Sequence, residues 1–192
     1  MIRVGIIGDI GSGKSYVAKK FGYPVFNADL EVSKIYKKNK KCFKKLNKFF
    51  PEDIKSFPIN KKELFKVILA KKNNINKINK IVHSEVRTKL RDFINKNKKK
   101  RIIILDVPLL LENKINRKND FLIYVDAKKK EIKKRIRKRK NFNNKIYDKL
   151  KKLQLSLELK KKKSNFIIKN NFKHIKVKKD VKMILKEILL NE

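Results

Sequence analysis

The chain has one cysteine, four prolines, five glycines and no tryptophan in 192 residues. With Cys42 alone there is no internal disulfide and no cysteine zinc cluster. No apolar run approaches the roughly 20 residues of a membrane span. The short apolar N-terminus is interrupted by turn residues and lacks a signal peptide's basic head and cleavage site. These absences lead to the expectation of a cytoplasmic protein with no membrane partner. Acidic residues are also scarce, 18 against 56 basic ones, for a formal charge of +38. Such a charge invites a nucleic-acid reading. However, only eight of the basic residues are arginine, and asparagine and isoleucine are plentiful beside the lysine. All three have A/T-rich codons, so the lysine excess reads as solvated surface in a biased composition. The aromatics sit mostly at apolar helix positions rather than on a clustered face. No specific nucleic-acid partner is expected, although a positive field suits a polyanionic substrate.

The five glycines, Gly5, Gly8, Gly11, Gly13 and Gly22, all precede residue 23. Three of them lie in "GDIGSGKS", residues 8–15, which matches G-x-x-x-x-G-K-[ST]. Glycines at these offsets let the backbone curl its N–H groups inward around phosphate oxygens, and the following helix adds its dipole. Gly11, Ser12, Gly13, Lys14, Ser15 and Tyr16 are therefore candidates for holding ATP. Lys14 would reach the β- and γ-phosphates, and the Ser15 hydroxyl would serve Mg²⁺. The apolar run Ile2–Ile7 before the loop reads as a buried strand, and "KSYVAKKFG" after it as a helix stopped at Gly22.

Further strands are expected at "YPVFNAD", "RIIILD", "DFLIYVDA" and "NFIIKNN". Between them lie helical patterns. One amphipathic stretch carries Ile35, Phe43, Leu46 and Phe49–Phe50, and two more follow up to residue 94. A basic helical region runs from Lys128 to Lys163 with an "NFNN" interruption, and "DVKMILKEILL" closes the chain as a helix. The expected fold is α/β: a three-layer α/β/α P-loop architecture around a five-stranded parallel sheet. It reads as one domain with its core at about residues 1–28, 101–126 and 164–192, a helical insert at about 29–100 and a basic lid at about 127–163. No N-K-x-D guanine signature is present, which turns the reading from a GTPase to a small-metabolite kinase. Monomer and small homo-oligomer both remain open.

Asp29 and Asp106 follow strand patterns at their carboxyl ends, where parallel sheets place ligands. Each has a capping role as its alternative. Asp106 could also hold Mg²⁺ in the manner of a Walker-B carboxylate. Arg139 stands out because arginine is rare here, and its planar fork suits phosphate. Arg135 and Arg137 share that argument more weakly.

Over nearly its whole length the chain resembles the dephospho-coenzyme A kinases. The residues that carry the resemblance are "VGIIGDIGSGKS", "YPVFNAD", "INKIVHSEV", "LDVPLLLE", "KLQLSLELK" and "NFIIKNN", in that order. The phosphate loop alone is generic; "DVPLLLE" is specific. The resemblance implies ATP-dependent phosphorylation of the ribose 3′-hydroxyl of dephospho-CoA, with a nucleoside or nucleotide kinase of the same fold as the alternative. It makes Asp29 the acceptor of the hydroxyl proton and Arg139 a lid arginine acting on the transferred phosphate. It places Gln154 near the nucleotide, and His83, Pro108, Leu109 and Leu110 near the acceptor, with Glu112 closing that pocket electrostatically. Four positions depart from the family pattern: Asn27 for an aspartate, Ser33 for a basic residue or histidine, Lys61 for an arginine and Ser84 for a proline.

Overall fold

Five short apolar segments pair into a single parallel sheet in the order β2-β3-β1-β4-β5. They are β1 (Ile2–Gly8), β2 (Val25–Asn27), β3 (Ile102–Asp106), β4 (Phe121–Asp126) and β5 (Phe166–Lys169). The helices are α1 (Lys14–Lys20), α2 (Ala28–Lys38), α3 (Lys40–Phe49), α4 (Lys61–Ala70), α5 (Asn74–Lys96), α6 (Lys129–Arg137), α7 (Asn144–Lys152), α8 (Leu157–Lys162) and α9 (His174–Leu190). This computed structural model describes residues 1–71, 73–139 and 142–190. The five-stranded parallel α/β arrangement is the one expected.

Strand burial follows position in the sheet. β3, between β2 and β1, is buried at every residue, whereas the edge strand β5 leaves Ile167 exposed. On one face of the sheet, Val4 and Ile6 of β1 and Ile102 and Ile104 of β3 meet Val17, Ala18 and Phe21 of the α1 segment. α9 covers the same face with Val177, Val181, Ile184 and Ile188, a helical stripe. Burying each such aliphatic side chain contributes about 1.5–3 kcal/mol. The other face receives α8, whose Lys160 is among the largest fully buried side chains. There Gly5 is tightly packed, since a Cβ would come within 2.5 Å of Leu110 and 2.9 Å of Leu122.

Three expectations about helices are corrected. The stretch from Ile35 to Phe50 is two helices, because Asn39 leaves the helical conformation and its side chain accepts from the Cys42 N–H at 2.9 Å. Such a cap outcompetes continuation of the apolar pattern. The basic region from Lys128 to Lys163 is three helices, and Ser156 caps α8 by accepting from the Leu159 N–H at 3.2 Å. Asn141 of the "NFNN" interruption lies outside the described residues. The terminal helix also begins earlier than expected, at His174.

Backbone contacts divide the chain into two compact units. One comprises Met1–Asn27, Lys96–Asn143 and Tyr147–Glu192, and so holds the whole sheet; the other comprises Ala28–Asn95 with Asn144–Ile146. In the second unit α5 buries Ile75, Ile78, Val82, Val86 and Leu90 along one stripe. Glu85 of α5 accepts from Asn39 at 2.9 Å and pairs with Lys45 at 3.4 Å, tying α3 to α5. Among the described lysines only Lys14 and Lys160 are buried, so the lysine excess is surface, as the composition suggested. No described helix is long and apolar enough to cross a membrane.

Candidate active site

β1 lies between β3 and β4, so successive crossovers leave the sheet in opposite directions around its carboxyl end. Parallel sheets form their ligand crevice at such a switch point. The loop from Gly8 to Gly13 starts there and opens into α1. Its glycines take left-handed or similarly restricted backbone angles, with φ of 144° at Gly8, 84° at Gly11 and 93° at Gly13. They are also crowded by the protein itself. A Cβ at Gly8 would meet the Val125 carbonyl at 2.7 Å, one at Gly11 would meet Ile136 at 2.7 Å, and one at Gly13 would meet the Asn170 amide at 2.3 Å. Close approach of β4, α6 and the β5 exit thus demands glycine here in addition to any clearance for phosphate.

Lys14 is buried, and its ammonium donates to the Asp9 carbonyl at 2.8 Å and the Gly8 carbonyl at 3.3 Å. The lysine therefore spans the curl of the loop. The Asp9 carboxylate accepts from the Ile10 N–H at 2.6 Å and is ion-paired with Lys151 of α7. Asn170, buried at the end of β5, donates to the Ser12 carbonyl at 2.8 Å and so holds the loop from the other side.

Asp106 ends β3 beside this loop. Its Oδ2 accepts from the Asn27 amide at 2.5 Å, and Asn27 also donates to the Ser15 hydroxyl at 3.4 Å. Burial pushes the Asp106 carboxyl above its ordinary value; the Ser15 hydroxyl, the Lys14 charge, the Asn27 amide and Lys19 oppose that shift. One carboxylate and one hydroxyl are donors that Mg²⁺ accepts when water and phosphate oxygens complete its coordination. Among the described residues no group of three His, Cys, Asp or Glu side chains is placed to hold a metal ion.

The remaining candidates are placed as follows. Tyr16 is exposed on α1, edge-on to His174 with ring centroids 6.0 Å apart. Gln154 lies in the turn after α7, and its Oε1 is buried without a hydrogen-bond partner. It lines a cavity of about 350 Å³ with Asp9, Lys129, Lys133, Tyr147 and Lys151. Arg139 is exposed just past α6, its N–H donating to the Ile136 carbonyl at 3.0 Å. Pro108 and Leu109 are half-buried after β3, while Leu110 is buried against Gly5. Glu112, expected near the acceptor, pairs with the buried Lys160 at 2.7 Å and accepts from the Leu155 N–H at 2.9 Å. It therefore anchors α8 and the turn before it.

Asp29 and His83 belong to the second unit. Asp29 is exposed in the first turn of α2, where its charge complements the helix dipole. His83 is half-buried on α5; burial, then the charge of Arg87, holds its pKa below the ordinary value. Sequence reasoning did not find Asp9, Lys151 and Asn170, and it treated Asn27 only as a departure. A signal existed for Asn170, an asparagine closing a strand pattern; the others needed the tertiary fold.

The chain is 35% identical to a dephospho-CoA kinase of Wolbachia pipientis wMel over 98% of each chain. It is 33% identical to that of Wolbachia sp. subsp. Brugia malayi (strain TRS), again over 98% of each. Among solved structures it superposes on TT1252 from Thermus thermophilus with a TM-score of 0.78, at 25% identity and 97% coverage of both chains. The fold is also that of dephospho-CoA kinase from Campylobacter jejuni, with a TM-score of 0.63, 22% identity and coverage of 97% and 96%. A phosphate loop alone would leave many kinases open, but the family model for dephospho-CoA kinase matches residues 2–175, from β1 into α9, and the chain belongs to that family.

Proposed function

We propose that the chain transfers the γ-phosphate of ATP to the ribose 3′-hydroxyl of dephospho-CoA, yielding CoA and ADP in the last step of CoA synthesis. The observation that carries this reading is the meeting of two motifs at one carboxylate. Asp106 of "DVPLLLE" lies against Ser15 and Asn27 at the mouth of the "GDIGSGKS" loop. The generic donor site and the family-specific block are thereby one site.

In the reaction a bond forms between the acceptor oxygen and the γ-phosphorus while the bond to the β–γ bridging oxygen breaks. ADP leaves with that oxygen, and the hydroxyl proton goes to Asp29. In a loose phosphoryl-transfer transition state such a carboxylate mainly positions the nucleophile. Lys14 exchanges its loop carbonyls for β- and γ-phosphate oxygens, whose charge binds it more strongly. Arg139 neutralises charge on the transferred group, as its exposed position at the end of α6 permits. Ser15 and Asp106 would hold Mg²⁺, which supplies charge neutralisation on the phosphates when bound. Gly11, Ser12, Gly13, Tyr16 and Gln154 serve the nucleotide, and His83, Pro108, Leu109 and Leu110 the acceptor. The helices of residues 29–100 carry acceptor contacts, and those of 127–163 act as the lid. Substrates of this kind support a cytoplasmic location.

Purified protein with ATP, Mg²⁺ and dephospho-CoA should form CoA and ADP in equal amounts. Absence of CoA together with efficient phosphorylation of a nucleoside would overturn the acceptor assignment.

A further inference from the structure

Asp9 is the second residue of the phosphate loop, where a negative side chain by itself works against the binding of phosphates. It is nonetheless buried there, with both its main chain and its side chain engaged. Its carbonyl accepts from the Lys14 ammonium at 2.8 Å, and its carboxylate accepts from the Ile10 N–H at 2.6 Å. The same carboxylate is ion-paired with Lys151 of α7, 142 residues further along the chain. α7 has little apolar burial to fix it: Ile146 is its one buried residue, and Leu150 is exposed. The Lys151 carbonyl in turn accepts from the Gln154 N–H at 3.1 Å. Gln154 Oε1 makes no hydrogen bond, so the turn that carries it is placed through its backbone. Asp9, Lys151 and Gln154 thus form one connected run along the cavity of about 350 Å³ that all three line.

A fully solvated ion pair contributes little. Here the Asp9 side chain is only 10% exposed and that of Lys151 35%, and the Ile10 N–H already orients the carboxylate. A charge-assisted bond to a pre-oriented acceptor costs less side-chain freedom to form. We propose that Asp9 is a positioning residue for the donor nucleotide: through Lys151 it docks α7 and the Gln154 turn on the phosphate loop before ATP arrives. Without that partner the carboxylate would only repel a triphosphate; with it, loop and turn form a cleft assembled in advance. The proposal rests on the reading of the chain as an ATP-using kinase with Gln154 at the nucleotide.

Asp9→Asn keeps an acceptor for the Ile10 N–H and removes the charge. In nucleotide-free protein it should speed hydrogen exchange at the amides of residues 147–156 roughly 3- to 30-fold. Lys151→Gln should do the same, and the amides of β1 and β4 should exchange as before in both. KM for ATP should rise by a similar factor in each variant, with turnover and KM for dephospho-CoA kept. Lys151→Arg should hold KM for ATP near that of the unsubstituted chain. Asp9→Asn combined with Lys151→Gln should be no worse than either alone, as for two halves of one contact. A lowered or unchanged KM for ATP in Asp9→Asn would overturn the proposal, since removal of a repelling charge alone gives that result. So would effects that multiply in the double variant, which mark Lys151 as acting on the phosphates by itself. Unchanged exchange at residues 147–156 would overturn the docking directly. The exchange measurement needs neither ATP nor acceptor, so it decides the docking even if dephospho-CoA proves not to be phosphorylated.

Discussion

The Asn27 amide lies 2.5 Å from Asp106 Oδ2, across the β2–β3 register that pairs these two residues. The family pattern has an aspartate where Asn27 stands, and an aspartate there would set two carboxyl groups at hydrogen-bond distance. Like charges that close raise one pKa strongly. A neutral donor instead steadies the ionised form of Asp106. Asn27→Ala should lower activity about 10- to 100-fold, as loss of a partner behind a metal ligand does, and should raise the Mg²⁺ concentration needed for half-maximal rate. Asn27→Asp should shift the acid limb of the pH–rate profile to higher pH. An unchanged Mg²⁺ titration in Asn27→Ala would remove Asn27 from the site.

Lys14 is held by two loop carbonyls before any phosphate arrives. Lys14→Ala should cost at least about 100-fold in turnover, the loss typical of one preorganised charge-stabilising donor. Helix content, followed by circular dichroism, should be retained. Binding of ATP, followed by calorimetry, should weaken in parallel.

For Asp29 two roles remain distinguishable by kinetics. If it orients the acceptor hydroxyl, Asp29→Asn lowers turnover about 10²- to 10⁴-fold while the Kd for ATP is kept. Retained turnover would leave Asp29 as a first-turn charge on α2 and nothing more.

Glu112 and Lys160 form an ion pair with side chains 11% and 1% exposed. Glu112→Gln leaves a buried ammonium without its counter-charge and should cost about 3–5 kcal/mol in denaturant unfolding. Replacing both partners by apolar residues of similar volume, Glu112→Leu with Lys160→Met, should recover most of that loss. A stable Glu112→Gln protein with poor acceptor affinity would restore the electrostatic role expected from the sequence.

The half-buried His83 has its pKa held below the ordinary 6.5 by burial and by Arg87. A depressed value in the folded state means that the unfolded chain binds the proton more readily. The contribution to stability is thus present above about pH 6.5 and lost as pH falls through the folded-state value. Melting temperature should fall between pH 8 and pH 5, and His83→Gln should show a smaller fall. An identical pH dependence in both proteins would show that His83 does not titrate on unfolding.

Much of the fold was legible because its signals are local. Short segments rich in Ile and Val marked β1 and β3, and the loop glycines sat where the backbone needs φ that other residues resist. The division at Asn39 was harder, since the apolar spacing continues through it and only the cap to Cys42 tells the two helices apart. Glu112 was read by its place in a motif, yet its partner lies far along the chain in α8.

The sequence by itself determined the five strands and the phosphate loop, which depend on residue type at short offsets, and the family, which depends on the order of motifs along the chain. Tertiary structure decided which side chains work together. It set Asn27 on Asp106, Asn170 on Ser12, Lys151 on Asp9 and Arg135 on Phe172. Parallel strands join only through long crossovers, so residues that meet at the carboxyl edge of such a sheet come from distant segments, and no local pattern records their meeting.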